Sequence, residues 1–356
     1  MRKSILAAAA LLLSGACAAQ DYLKPYLMLD VGETWTSNIA GASRWDYQEG
    51  RLSPNFFGLT GRKEVSDGVA ALFKIEGGYA LEDAEILGRG TFGRQAWAGI
   101  ETPYGTVTVG RQWELMFESL AADRWGAALG NVPLLQLQAG PFANLGLPTG
   151  SIDFNRIAAG FSTPRSVKYT SPRIEGFQLK ALWGKGEDNA SSSYGRTRSL
   201  GAGYDGGKLR LNAAYTDSKN SFINDGRDGV RNWGAGAFYD FGRAQGDLLY
   251  TNTRNTFTDG RIDSYAAGVL LPVTTNSKVY LNYMFLKGNA QLDKHQAHQV
   301  GATLSYRINR YLDIYANAIY QHTGGRAQPA YISGAPGVAG GADQGLLHVG
   351  LRFYYE

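Results

Sequence analysis

Four carboxylates, Glu114, Glu118, Asp123 and Asp153, fall within one long stretch, Gln112–Pro164, that carries no periodic pattern. Bases lie outside it at Lys74, Lys168, Lys180 and Arg210, and Glu76 stands two residues from the first. Opposite charges on facing walls of a wet passage set up a transverse field, which orders water and sorts solutes by charge and dipole. The plainer reading leaves each charge solvated, or pairs the acids with Arg111, Arg124, Arg156 and Arg165 so that they only hold the stretch in place. Other chemistry has less behind it. His295 and His298 are three apart at a strand edge and would point to opposite faces, which is poor geometry for a metal. His322 and His348 are hydrolase candidates only by default, because there is no Gly-x-Ser-x-Gly elbow and no phosphate-binding glycine loop. Glu82, Asp83 and Glu85 read as a solvated acidic loop, with a divalent-cation site as the alternative. No catalytic residue, cofactor or metal is therefore expected.

The elements that must position these charges are strands. Leu209, Leu211, Ala213 and Tyr215 alternate with Arg210, Asn212, Ala214 and Thr216, and Val349, Leu351, Phe353 and Tyr355 alternate with His348, Gly350, Arg352 and Tyr354. Successive side chains of a strand point to opposite faces, so each segment has one apolar and one wet face. About sixteen such segments, with no helical stretch, predict an all-β chain: a transmembrane antiparallel barrel with lipid outside and water inside. The first strands read as Tyr22–Gly32, Asn55–Lys63, Val69–Tyr79, Thr91–Glu101 and Gly105–Arg111, with a loop from the first to about Arg51. After the long stretch, hairpins run from Arg165 to a last strand at Gly345–Tyr355. Short linkers alternate with long polar ones such as Asp217–Val230 and Gly324–Gln344. The alternation sets phases. With Phe73 and Ile75 outward, Lys74 and Glu76 face the lumen; with Val167 and Tyr169 outward, Lys168 does; Lys180 and Arg210 follow in the same way. Trp113, Phe117, Trp125, Leu134, Leu135 and Phe142 give the long stretch apolar groups to pack with, and the interior wall is the nearest surface. Trp97, Trp183, Tyr239, Tyr250, Tyr320 and Tyr355 sit near strand ends and suit membrane–water girdles.

Residues 1–19 read as a secretory leader: Arg2 and Lys3, an apolar run from Ile5 to Leu13, then Ala16-Cys17-Ala18-Ala19 before Gln20. Lipid attachment at Cys17 is the rival, disfavoured by Ser14 where a lipoprotein leader usually has a branched apolar residue. Residues 20–356 then form one barrel without cysteine, so no disulfide or thiolate site is available. Hydrophobic residues make up 44% and mean hydropathy is −0.25, which excludes a bundle of membrane helices. Net charge is +4, and losing Arg2 and Lys3 leaves a surplus of two bases, too near neutrality to suggest nucleic acid.

Several segments resemble a known family. Asn55-Phe56-Phe57-Gly58-Leu59-Thr60-Gly61 and Gly68–Tyr79 look like the early strands of general porins of β-proteobacteria. Phe92–Ile100 with Tyr104–Gln112, and Ser166-Val167-Lys168-Tyr169-Thr170-Ser171-Pro172, match as well. The resemblance implies a sixteen-stranded homotrimeric barrel in the Gram-negative outer membrane, with residues 112–164 folded into the lumen as a constricting loop. It implies passive diffusion of small hydrophilic solutes and ions, with outer-membrane lipid and lipopolysaccharide as surroundings. Arg94 aligns with a family position that carries a pore arginine, whereas Phe56 and Thr60 stand where members often carry bases, so this wall is less basic. His348–Tyr355 resembles the terminal strand read by the outer-membrane insertion machinery, although Glu356 follows the usual final aromatic. A solute-specific channel, a non-conducting adhesive or structural barrel, and an envelope enzyme are the alternatives.

Overall fold

The computed structural model describes residues 21–87, 90–122, 139–142, 145–147, 153–158, 162–185, 195–324 and 329–356. The expected leader lies outside them. Eighteen strand segments occur among the described residues, every pair antiparallel. The first are β1 (Tyr22–Ile39), β2 (Ala42–Glu49), β3 (Phe56–Ser66), β4 (Val69–Ala80), β5 (Glu85–Leu87) and β6 (Gln95–Thr102). β7 (Gly105–Trp113) enters the long stretch and β8 (Ser162–Thr170) leaves it. Then come β9 (Phe177–Gly184), β10 (Thr197–Asp205), β11 (Leu209–Lys219), β12 (Gly229–Asp240) and β13 (Gln245–Asn255). β14 (Arg261–Pro272), β15 (Ser277–Gly288), β16 (Gln296–Asn309), β17 (Leu312–Gly324) and β18 (Asp343–Tyr355) complete the chain.

The ring has sixteen staves. β2 and β3 both pair with β1, at Val31–Ile39 and Tyr22–Met28, so they are two pieces of one stave. β5 and β6 share β4 in the same way. The segment expected as a loop after Gly32 is therefore mostly sheet: β1 continues to Ile39 and turns through Asn38, Ala40 and Gly41, all at positive φ, into β2. β1 also pairs with β18, from Leu27↔Tyr355 to Thr36↔Leu346, which closes the sheet. With no free edge, every spanning strand has its backbone groups paired, the condition for crossing hydrocarbon.

Burial is inverted relative to a water-soluble fold. Outward residues are apolar and exposed, such as Leu179, Leu200, Leu248 and Val349, while inward ones are polar and buried, such as Asn232, Thr303, Asn317 and Gln321. Lipid covers the first set. Outward aromatics form two rows. Toward the long loops Trp233 meets Tyr250 at 4.9 Å, and Tyr250 meets Tyr265 at 5.1 Å. Toward the short turns Phe177 meets Tyr204 at 4.6 Å, and Tyr239 meets Phe241 at 4.7 Å. Trp183, Tyr239, Tyr250, Tyr320 and Tyr355 stand on the outer face with these rows. Trp97 does not. Ala98 and Ile100 take the outward positions of β6, and Trp97 shares the inner face with Gln95, to whose Oε1 its indole N–H donates at 3.2 Å.

Beside the seam, inward groups of three strands interlock. Tyr315 donates to Asp30 and lies 3.0 Å from His348 Nε2, while Thr34 Oγ1 lies 2.7 Å from His348 Nδ1. Asp30 also accepts from the Leu52 and Ser53 amides at 2.7 and 2.6 Å, which draws the β2–β3 link against the inner wall.

Candidate functional site

Two charged clusters face the lumen. In the first, Glu76 is nearly buried and accepts from Arg94 Nε at 2.8 Å and the Tyr26 hydroxyl at 3.0 Å, with Lys74 Nζ at 3.3 Å. Lys74 and Glu76 reach it by strand alternation on β4. Arg94 reaches it because it precedes β6, in a non-strand segment whose amide donates to Glu76 O at 3.1 Å. Its guanidinium lies between the rings of Phe56 (5.1 Å) and Trp113 (5.0 Å), and Lys74 lies over Tyr26 (5.2 Å). Phe56 thus occupies the lumenal side as an aromatic support for a cation.

The second cluster centres on Glu118, just past a short helix, Leu115–Phe117, in a wide turn, Glu118–Ala122. Its Oε1 is 3.1 Å from Lys180 Nζ, and its Oε2 contacts Lys168 Nζ. Burial alone would raise this carboxyl; the two ammonium groups of β8 and β9 overcome it and hold Glu118 at about 2. The turn lies close to the wall because Gly201 faces it: a Cβ there would come within 2.4 Å of Ser119 Oγ. Each cluster joins two cations to one carboxylate.

Glu114 and Asp153 are placed differently, between the long stretch and the wall. Glu114 is fully buried, caps the short helix by accepting from the Met116 and Phe117 amides at 2.9 and 3.2 Å, and accepts from Thr216. Burial pushes its carboxyl up, against the pull of Arg156. Arg156 Nε donates to Asn232 Oδ1 at 2.9 Å, and Asp153 Oδ1 accepts from the Ala158 amide at 2.8 Å. Around these polar anchors Met116, Leu120, Phe142, Leu145, Phe154 and Ile157 pack on Ala214, Leu249, Ala266, Met284 and Leu286 of the inner wall. The described parts of the stretch therefore pack on inward-facing residues of the wall. Asp123 lies outside the described residues, as do Arg124, Trp125, Leu134 and Leu135. Arg210 is not drawn into either cluster; its guanidinium sits 3.6 Å over Phe238, toward the short turns.

The last long loop also enters the mouth. Tyr331 and Ile332 amides donate to Gln321 and Gln344 at 2.8 and 2.7 Å, and Tyr331 O accepts from Gly140 at 2.8 Å. Arg51 donates to Ser333 O at 3.2 Å and to Gly334 O at 2.5 Å. Gly334 has φ of +79°, and a Cβ there would fall 1.6 Å from Arg51 Nη1. Gly334→Val is expected to expel Arg51 and free this loop, read as faster amide exchange over 329–342 with the strand amides unchanged. Unchanged exchange in the loop would refute the pin.

The histidines and the acidic loop build no centre. His348 is buried in the seam network, His322 faces outward 2.8 Å from Asp343, and His295 meets Pro141 O at 3.1 Å. No group of three metal-ligating side chains occurs among the described residues. Tyr26, Trp97 and Arg51 are lumenal groups the sequence reading missed, whereas Trp113, expected to pack on the interior wall, lies beside Arg94. One signal was available: Asp30, a lone carboxylate between Leu29 and Val31, sets the phase of β1, and Tyr26 shares its face.

Comparison with known proteins is consistent across the chain. The family described as Gram-negative porin matches residues 6–326. Outer membrane porin protein 32 of Delftia acidovorans is 26% identical over 364 residues, covering 99% of each chain. Among solved structures, the anion-selective porin from Comamonas acidovorans superposes with a TM-score of 0.77 at 20% identity, covering 94% of this chain and 100% of that one. The trimer form of OmpT from Vibrio cholerae does so with 0.68 at 17%, covering 94% and 99%.

Proposed function

This chain belongs to the Gram-negative porin family, and from that premise we propose how its own residues run a passive channel. It is an outer-membrane porin, a non-enzymatic sixteen-stranded barrel through which small hydrophilic solutes diffuse. In our reading residues 112–164 form the constriction, after a leader at 1–19 is removed. Glu118, Lys168 and Lys180 form one side of the narrowest charged zone, and Glu76, Lys74 and Arg94 another. Glu114 and Asp153 hold the loop and do not meet solutes.

The single observation behind this reading is the pairing of two cations with one carboxylate in both clusters. Each keeps a residual positive charge in a low-dielectric wall, where fields are strong. A modest anion preference follows, and one similar structure is named an anion-selective porin. Single-channel recording of the purified protein under a salt gradient tests this: stepwise ohmic conductance with an anion-directed reversal potential is expected. A cation-directed potential would overturn the charge assignment. Insertion without conductance would move the weight to an adhesive or structural barrel. Saturable block by one solute would favour a specific channel, for which Arg94 between Phe56 and Trp113 supplies a ready contact.

The family is typically trimeric, and a similar structure is a trimer form. We take this chain to form a homotrimer in which the loop after β4 reaches a neighbour. Leu81, Ile86 and Leu87 are 41–49% exposed on that loop, apolar surface that suits a protein contact. Ile86→Glu with Leu87→Glu is expected to lower the temperature at which trimers dissociate on unheated gels. An unchanged dissociation temperature would remove that contact.

A further inference from the structure

We propose that the Lys74–Arg94 cluster is a subsite for aromatic monocarboxylates, solutes with a flat ring beside one carboxylate. The subsite rests on the channel reading above and adds a solute class to it: other small solutes still pass, and these are held on the way. Both cations of the cluster are flanked by rings. Arg94 lies between Phe56 and Trp113, at 5.1 and 5.0 Å, and Lys74 lies 5.2 Å over Tyr26. Lys74 also pairs in direct register with Trp97, on the same inner face. The rings meet one another in turn. Tyr26 meets Phe56 edge-on at 6.0 Å, and Trp113 meets Phe117 edge-on at 5.2 Å. Aromatic surface thus runs from β1 to the start of the long loop, interrupted by one guanidinium. These rings are half-buried, not sealed.

The donors of Arg94 are only partly engaged. Glu76 holds it through Nε, 2.8 Å from Oε1. Among the described residues nothing accepts from its two Nη atoms, and neither is shut off from solvent. Glu76 itself is shared with the Tyr26 hydroxyl and Lys74, so its charge is matched within the wall. Two cations against one carboxylate leave a surplus that suits one further negative charge.

A carboxylate bonds the edge of a guanidinium in the guanidinium's own plane. The body of the solute then continues that plane, bordered by the two rings that already flank it. A flat ring gains the offset or edge-on contacts that aromatic groups favour, and a puckered ring of equal charge and similar volume gains less. The Glu118 cluster carries the same surplus on two lysines, which present no planar fork. It attracts anions without sorting them by shape, so the sorting falls to Arg94 and its rings.

The test is calorimetric titration of the purified protein in detergent, against matched micelle blanks, with benzoate, cyclohexanecarboxylate and benzyltrimethylammonium at neutral pH. Benzoate is expected to bind at least about fivefold more tightly than cyclohexanecarboxylate, which has the same charge and a puckered ring. Benzyltrimethylammonium, a flat ring with the opposite charge, should bind weakest. Phe56→Leu with Trp113→Leu keeps every charge and should erase the preference between the two carboxylates. Phe222→Leu, at an exposed loop tip, should leave it intact. Heat-modifiable gel mobility reports folding of each variant. Equal binding of the two carboxylates by the native protein, ammonium binding as tight as that of benzoate, or a preference that survives in the folded double variant would each overturn the subsite. Conductance of the same preparations separates this from the channel reading. A non-conducting barrel that still prefers benzoate refutes only the channel, and an open channel without the preference refutes only the subsite.

Discussion

Replacing Glu114 with alanine is expected to loosen the long loop and raise single-channel conductance and the size of solute admitted. Glu114 is wholly buried and caps the helix that begins the described part of the loop, while Thr216 and Arg156 tie it to the wall. Removing one partner of a buried charged set typically costs about 3–5 kcal/mol, because the other charge is left without compensation. Here that charge is Arg156, itself bonded to Asn232. The apolar contacts of Phe142, Leu145 and Phe154 persist, so the loop should loosen at its start and stay inside the barrel. Glu114→Gln keeps acceptors for the helix amides and should change conductance less. Liposome swelling with sugars of graded size, beside single-channel recording, checks this; an alanine variant with native conductance and cutoff would sink the anchoring role.

The second large effect concerns selectivity. Lys168→Ala with Lys180→Ala removes both cations that hold Glu118 at about 2. In the native protein its carboxyl is depressed below its ordinary 4.5. Its contribution to stability is therefore full above about pH 4.5, fades as pH falls toward 2, and is constant near neutrality. Selectivity should be flat across that neutral range. In the double variant burial acts alone and raises the carboxyl, so this cluster becomes negative at high pH and neutral as acid is added, while Lys74 and Arg94 keep the other cluster one positive charge in surplus. The reversal potential should fall toward zero at about pH 8 and move back toward anions by about pH 4. A variant potential that stays anion-directed and flat with pH would show that Glu118 and its partners do not line the path of ions.

Much of the barrel was legible because alternation is local. Val69–Tyr79 falls one residue short of β4, and Phe73, Ile75, Val167 and Tyr169 set the faces of Lys74, Glu76 and Lys168 from neighbours alone. Where alternation breaks, the sequence loses its hold. Arg94 lies one residue outside β6, so its direction is set by a bend, and Trp97 was misplaced at the membrane interface. The hairpin of β1 and β2 was hidden because its residues mix polar and apolar groups on both faces. Contacts between loops and wall that are remote in sequence leave no local trace: Arg51 and Gly334 are 283 residues apart, and Glu118 meets partners 50 and 62 residues on.

The closure of β1 on β18 bears on when this protein can fold. Leu27 pairs with Tyr355 and Asp30 with Arg352, so the first stave finds its second neighbour only in β18, after every other stave has been synthesised. While the ribosome is still working, that strand would present an open row of amides and carbonyls, the kind of edge that recruits other chains. Vectorial, stave-by-stave folding during translation is thus of no use to this chain. It must be kept extended and shielded until β18 has emerged, and the slow step is bringing the first and last strands together across the contour of the barrel.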